Sequence, residues 1–146
     1  MDYVQLSNIL VMPFWALMIF LPFWSMTHRI LSSVLCVVPA ALLYAVLVLP
    51  GVAQIFPVLM NPSTPAIAEV LGQPIGALIA WVHFLAFDLF VGRWIFLDSR
   101  ERKLPFWMIS PILFFTLMLG PFGLLLYLGL RSSSSTPESV STAGNA

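Results

Sequence analysis

Four long apolar stretches separated by short polar turns dominate the hydrophobic pattern of this chain. A membrane-spanning α-helix needs about 20 mostly apolar residues, because the hydrocarbon core is about 30 Å thick. The pattern predicts spans over residues 4–26, 30–49, 74–97 and 105–130. We therefore expect an all-α integral membrane protein in which residues 1–130 form a four-helix bundle.

The segments outside these spans carry weaker signals. Residues 50–73 contain no Lys or Arg. Within them, Thr64 followed by Pro65 resembles a helix N-cap and first position, which predicts a short interfacial or re-entrant helix. Residues 131–146 are rich in Ser and Thr, which predicts a disordered tail.

Composition supports the membrane assignment. Hydrophobic residues make up 60% of the chain, charged residues 8%, and the formal net charge is zero. A soluble domain carries roughly 25% charged residues. A nucleic-acid binder needs a basic face, and that class is excluded here. Cys36 is the single cysteine, so one subunit can form neither a disulfide framework nor a cysteine-rich metal site.

Basic residues predict the orientation of the chain. Arg29 follows the first span, and three further basic residues lie in the turn formed by residues 98–103. Cytoplasmic loops retain Lys and Arg, so both turns are expected on the cytoplasmic or stromal side and both termini on the opposite side. We interpret residues 98–103 as a solvated turn.

Ionisable residues occur within the bilayer only in the third predicted span, at His83, Asp88 and Arg93. An Asp or Arg near the centre of a spanning helix costs about 2.5–3.5 kcal/mol, so such residues need partners and indicate function. The three are five positions apart, and each step of five rotates about 140° around a helix. They cannot share one face, so we expect other helices to supply the partner of Asp88.

Depth in the membrane suggests which partners these are. Counted from the centres of the spans at 1.5 Å per residue, Thr116 lies at about the depth of Asp88, and Tyr44 lies near that of His83. The spacing therefore predicts contacts between the third span and both the second and the fourth.

A pocket at this depth is the candidate site. Gly120 and the proline after it are expected to kink the fourth span one turn past Thr116 and to open space there. Trp81 is seven residues before Asp88 and so lies on the same face, while Trp15 can supply a second aromatic wall. One intramembrane His and one Asp make no credible metal set.

Each of these residues also has a structural explanation. Asp88 can form an interhelical hydrogen bond that fixes packing, His83 can be a packing residue, and Arg93 can extend to the headgroups as an anchor. The small residues Gly72 and Gly76 indicate close helix approach, either within the chain or in a dimer.

The segment that contains the ionisable residues resembles a known family. Residues 81–96 read WVHFLAFDLFVGRWIF, and the likeness continues through Leu104-Pro105-Phe106-Trp107 to Gly120-Pro121. This stretch resembles the neoxanthin synthase family, the abscisic-acid-deficient-four-like group of small membrane proteins of plastids, cyanobacteria and other bacteria. The resemblance covers about the second half of the chain.

The resemblance implies a carotenoid protein. The plant member is required to make neoxanthin from violaxanthin, an isomerisation of an epoxide end group to an allenic alcohol that needs no cofactor. Epoxide opening needs a proton donor and allene formation needs a base; an apolar site favours the neutral carboxyl, so Asp88 is the expected acid and His83 the expected base. The expected substrate-binding residues are Trp81, Arg93, Thr116, Trp15 and Tyr44.

Partners and location follow from the same features. We expect contacts with membrane lipids and with a carotenoid substrate or pigment, and either a homo-oligomer or a larger membrane complex. The chain begins without a plastid transit segment, which favours a prokaryotic or organelle-encoded protein of the thylakoid or plasma membrane. Two alternatives remain open: a non-catalytic pigment- or lipid-binding subunit or assembly factor, and a small transporter or proton-relay component.

Overall fold

The computed structural model describes residues 2–133, and this part of the chain is helical, with no β-strand. Short 3-10 turns at Val34–Cys36 and Leu49–Gly51 connect some of the helices. The eight α-helices of the described residues are α1 Tyr3–Phe20, α2 Ser25–Ser32, α3 Val38–Val48, α4 Val52–Met60, α5 Thr64–Gly72, α6 Pro74–Glu101, α7 Phe106–Leu119 and α8 Pro121–Ser133. The all-α prediction is confirmed.

Helix α6 is the central element of the fold. It has 28 residues, about 42 Å at 1.5 Å per residue, and it packs against α1, α2, α3, α5, α7 and α8. Its only proline is Pro74 at the first position, where the missing N–H is not needed. By contrast, α1 contains Pro13 and α7 contains Pro111. Other helices therefore surround α6, as the spacing of its ionisable residues predicts.

Three helical segments among the described residues are long and apolar enough to cross a membrane: Tyr3–Phe20, Val38–Met60 and Pro74–Glu101. The first is shorter than predicted, because the chain turns at Pro22 after α1. The second begins later than predicted and runs on through the 3-10 turn into α4, so the predicted loop after it is largely helical.

The predicted fourth span, residues 105–130, is instead a hairpin of two shorter helices. Helix α7 has 14 residues and α8 has 13, and they meet at Gly120, whose φ of 20° and ψ of −84° end α7. A Cβ added to Gly123 would overlap the backbone N and Cα of Thr116. Residues seven apart in one continuous helix are about 10 Å apart along the axis, so this contact requires α8 to fold back along α7.

Side-chain contacts fix where α8 ends. Tyr127 donates a hydrogen bond to Oδ2 of Asp98, and Nε of Arg131 lies 3.1 Å from the same oxygen. Asp98 is in the last turn of α6, which continues through Glu101, so residues 98–101 of the predicted basic turn are helical. The described C-terminal end therefore lies at the same end of the molecule as the basic turn, which corrects the prediction that it lies at the opposite end. The hydrophobic pattern does not predict that the chain reverses direction between α7 and α8.

The start of the predicted tail and the N-cap of the predicted short helix also differ from expectation. Helix α8 continues through Ser133, so residues 131–133 are helical, and the rest of the predicted disordered tail, residues 134–146, lies outside the described part. Helix α5 is capped by Ser63, whose Oγ accepts from the Ala66 N–H, rather than by Thr64.

Candidate functional site

Asp88 lies midway along α6 and lines a cleft of about 610 Å³. Its carboxylate is half-buried, and no group of residues 2–133 donates a hydrogen bond or forms an ion pair with it. The prediction that another helix supplies the partner of Asp88 is therefore wrong for this part of the chain. We call this space the Asp88 cleft. An unpaired carboxyl held in apolar surroundings costs stability, and it is therefore available to a bound molecule.

The cleft forms between α6 and the tip of the α7–α8 hairpin. Its walls are mostly apolar and aromatic, which suits a hydrophobic ligand. The lining residues are Trp81, His83, Phe84, Leu85, Phe87, Asp88, Leu117, Met118, Leu119, Gly120 and Pro121.

Gly120 closes one side of the cleft against the carboxylate. A Cβ built on this residue would overlap the Asp88 carboxylate, and the positive φ is unfavourable for any residue with a Cβ. The predicted break at Gly120-Pro121 therefore brings backbone directly beside Asp88, in the form of a hairpin tip rather than a kinked span.

His83 lines the same cleft although it is five residues from Asp88. The cleft extends far enough around α6 for both side chains to reach it. The imidazole packs among rings: its centroid is 5.3 Å from that of Tyr44 and 4.7 Å from that of Phe87. Tyr44 on α3 thus contacts His83, at the depth that the sequence predicts.

Trp81 also lines the cleft and is 45% exposed. It begins a row of aromatic side chains at a spacing of three residues along α6, continued by Phe84 and Phe87, each 59% exposed. The mouth of the cleft is therefore bordered by exposed aromatic rings, midway along a helix that is long and apolar enough to cross a membrane.

Two residues expected in the pocket lie elsewhere. Trp15 is 1% exposed, and its ring fills the space left by the missing side chain of Gly92, one turn beyond Asp88 along α6. Thr116 is fully buried between α7 and α8, and its Oγ1 donates to the Ile112 carbonyl at 2.8 Å. Neither side chain lines the Asp88 cleft.

Arg93 points toward α2. Its Nη2 donates to the Ser32 carbonyl at 2.8 Å, at the last residue of α2, where unpaired carbonyls and the helix dipole favour a cation. This contact joins α2 to α6. It places Arg93 outside the lining of the cleft.

Asp98 is a residue whose importance the sequence interpretation missed. Besides Tyr127 and Arg131, it accepts from Nε of Arg102 at 2.8 Å. Trp94 completes this Asp98 cluster, because the Tyr127 ring stacks edge-on against it at 5.4 Å and the Arg131 guanidinium lies 5.4 Å from its centroid. A signal was present: Tyr127 and Arg131 are four apart, which places a hydroxyl and a cation on one face of α8.

The cleft holds a single acid and a single imidazole. Among residues 2–133, no three His, Cys, Asp or Glu side chains come together as a metal site would require. The groups that can act on a ligand here are therefore one carboxyl, one imidazole and the surrounding rings.

Fold and site together define a class: an all-α protein with membrane-length apolar helices and an apolar cleft that contains one carboxyl group. The family model described as ABA4-like (ABA DEFICIENT 4-like) matches residues 4–127. The chain belongs to this family, and membership suggests a carotenoid-related function. No curated protein and no solved structure matches the chain.

Proposed function

We propose that this protein binds one end group of a carotenoid in the Asp88 cleft and isomerises it. The observation that carries the proposal is the unpaired Asp88 carboxyl in an apolar cleft with exposed aromatic rings at its mouth. A cleft of about 610 Å³ has the size of an ordinary small-molecule site, and it suits one end group while the polyene remains among the aromatic rings and lipid.

In this proposal Asp88 is the general acid. The opening of an epoxide needs a proton on its oxygen as the carbon–oxygen bond breaks, and the product is an alcohol. A carboxyl without an ion-pair partner in an apolar site favours its neutral form, so it holds the proton that this step requires.

His83 is the proposed base. Formation of an allene needs removal of one proton from the polyene side, and the electron pair of that carbon–hydrogen bond becomes part of the new double bond. One proton is added and one is removed, so the reaction is an isomerisation that needs no redox partner. The Tyr44 and Phe87 rings hold the imidazole at the cleft wall.

A second candidate function is a non-catalytic pigment-binding subunit. The observation that favours it is the same aromatic row at the mouth of the cleft, which can hold a polyene without chemistry. The two candidates differ in one respect: only the enzyme requires the proton of Asp88.

The test is expression in a host that makes epoxy-carotenoids, followed by chromatography of total and protein-bound pigments. Asp88→Asn removes the acid while preserving size, and His83→Gln removes the imidazole. Matched controls are Asp2→Asn and His28→Gln, which make the same changes at exposed positions.

For the enzyme, we expect wild type and both controls to form an allenic or otherwise rearranged carotenoid, and Asp88→Asn to lose about 100-fold or more of this activity. Bound but unchanged pigment in wild type would favour the subunit. A colourless wild-type preparation without product would refute both carotenoid proposals.

A further inference from the structure

A second cleft lies at the basic end of the molecule, between the segment after α1, the end of α6 and the start of α7. Its volume is about 290 Å³. It is separate from the Asp88 cleft, since Arg100 is about 18 Å farther along α6 than Asp88. The lining residues are Phe23, Phe96, Ser99, Arg100, Leu104, Pro105, Phe106 and Ile109.

Arg100 is the charged residue of this lining. Its guanidinium lies 5.4 Å from the ring centroids of both Phe23 and Phe96, so the two aromatic faces hold it in place. Its Nε is buried, and the side chain has no hydrogen bond or ion pair with any residue of the described chain. A guanidinium carries five N–H donors, and leaving buried donors unpaired is costly.

Three other arginines at this end have protein partners. Arg102 and Arg131 both bind the Asp98 carboxylate, and Arg93 donates to the Ser32 carbonyl. Ser99 also lines the cleft, but its hydroxyl donates to the Phe96 carbonyl at 2.8 Å and carries no negative charge that could pair with Arg100. Arg100 therefore lines a cleft in which residues 2–133 supply no anion.

The position of the cleft indicates the kind of anion. Arg100 is about 39 Å along α6 from Pro74, beyond a hydrocarbon core of about 30 Å, which places it at headgroup level. Phe23, which lines the cleft, is 76% exposed, and Trp107, which follows the lining residue Phe106 in the sequence, is 73% exposed. A ligand that satisfies both features has an anionic head and an apolar tail.

We propose that this cleft binds the phosphate of an anionic phospholipid. Arg100 donates to the phosphate oxygens through its planar fork, which matches phosphate better than a lysine ammonium does. The rings of Phe23 and Phe106 contact the glycerol and upper acyl region; they stack edge-on at 5.5 Å and form an apolar edge to the site. The site is independent of the carotenoid proposal.

The experiment uses the full chain in nanodiscs that contain equal amounts of phosphatidylglycerol, phosphatidylcholine and an uncharged galactolipid, with retained lipids counted by native mass spectrometry. We expect wild type to retain phosphatidylglycerol in preference to the other two. Arg100→Gln should weaken this binding about tenfold, since a charge-assisted hydrogen bond is lost. Arg29→Gln, the same change at an exposed position at this end, should weaken it less than about twofold.

Several results would overturn the proposal. Wild type without a preference for phosphatidylglycerol would do so, and this measurement needs no variant to fold. Equal losses in Arg100→Gln and Arg29→Gln would show general surface attraction. Displacement of the lipid by millimolar inorganic phosphate would make the ligand a free phosphate. Arg100→Lys, which keeps the charge, should cause an intermediate loss of phosphatidylglycerol binding. Unchanged binding in this variant would show that the guanidinium fork is not needed.

Discussion

Replacement of Gly120 by alanine tests the geometry of the hairpin tip beside Asp88. Two costs are expected. The positive φ of Gly120 disfavours an L-residue by about 1–2 kcal/mol. The new Cβ would also overlap the Asp88 carboxylate, which must rotate away from its preferred position at a cost of about 1 kcal/mol. Together they predict that Gly120→Ala lowers the free energy of unfolding by about 2–3 kcal/mol.

A double-mutant cycle separates the two costs. In an Asp88→Ala background the overlap is absent and only the backbone cost remains, so Gly120→Ala should cost about 1–2 kcal/mol there. The assay is equilibrium unfolding in mixed micelles with increasing denaturing detergent, followed by tryptophan fluorescence. The expected coupling free energy between the two sites is about 1 kcal/mol.

Gly129→Ala is the matched control. Gly129 lies in α8, and a Cβ there meets nothing within 4 Å. Alanine is a better helix former, so this change should be neutral or stabilise the protein by up to about 1 kcal/mol. A coupling within about 0.3 kcal/mol of zero would refute the contact between Gly120 and Asp88, because independent sites add to within that amount.

Three other predictions address the carboxyl, the Asp98 cluster and the topology. Asp88→Leu should raise the unfolding free energy by about 2 kcal/mol, because the substitution removes an unpaired carboxyl from apolar surroundings. A loss of stability would instead show that Asp88 has a structural partner. Tyr127→Phe removes a hydrogen bond to a carboxylate but keeps the ring, and should lower unfolding free energy by about 1.5 kcal/mol; an unchanged value would argue against that bond. The single variants Ser133→Cys and Ser63→Cys should react with an impermeant maleimide from opposite sides of oriented vesicles. The native Cys36 is buried and should give only a low background. Labelling of both variants from the same side would contradict the hairpin.

The central role of α6 could be predicted from the sequence because it depends on local features. Its apolar length and lack of interior proline predict an unbroken helix, and three ionisable residues at different angles require neighbours on several sides. The contact between Tyr44 and His83 was also within reach, since depth alone brings facing positions of two straight helices together.

The hairpin could not be predicted in this way. Residues 105–130 are long and apolar enough for one crossing, and hydrophobicity has no direction. The direction is decided by the pairing of Tyr127 and Arg131 with Asp98 across about 30 positions of sequence. Trp15 shows a related limit: the sequence predicts it as a wall of the Asp88 cleft, but its ring instead packs where Gly92 has no side chain, a contact between two helices that the hydrophobic pattern does not predict.

The hairpin links the Asp98 cluster to the candidate site. Helix α8 runs parallel to the second half of α6, with its start beside Asp88 and its end beside Asp98. A rigid helix of 13 residues held at one end by Tyr127 and Arg131 positions its other end, so these contacts determine how closely Gly120 approaches the carboxylate. If the cluster weakens, the cleft should widen although none of its lining residues has changed. We therefore expect ligand binding at Asp88, as proposed above, to depend on residues about 15 Å away along α6.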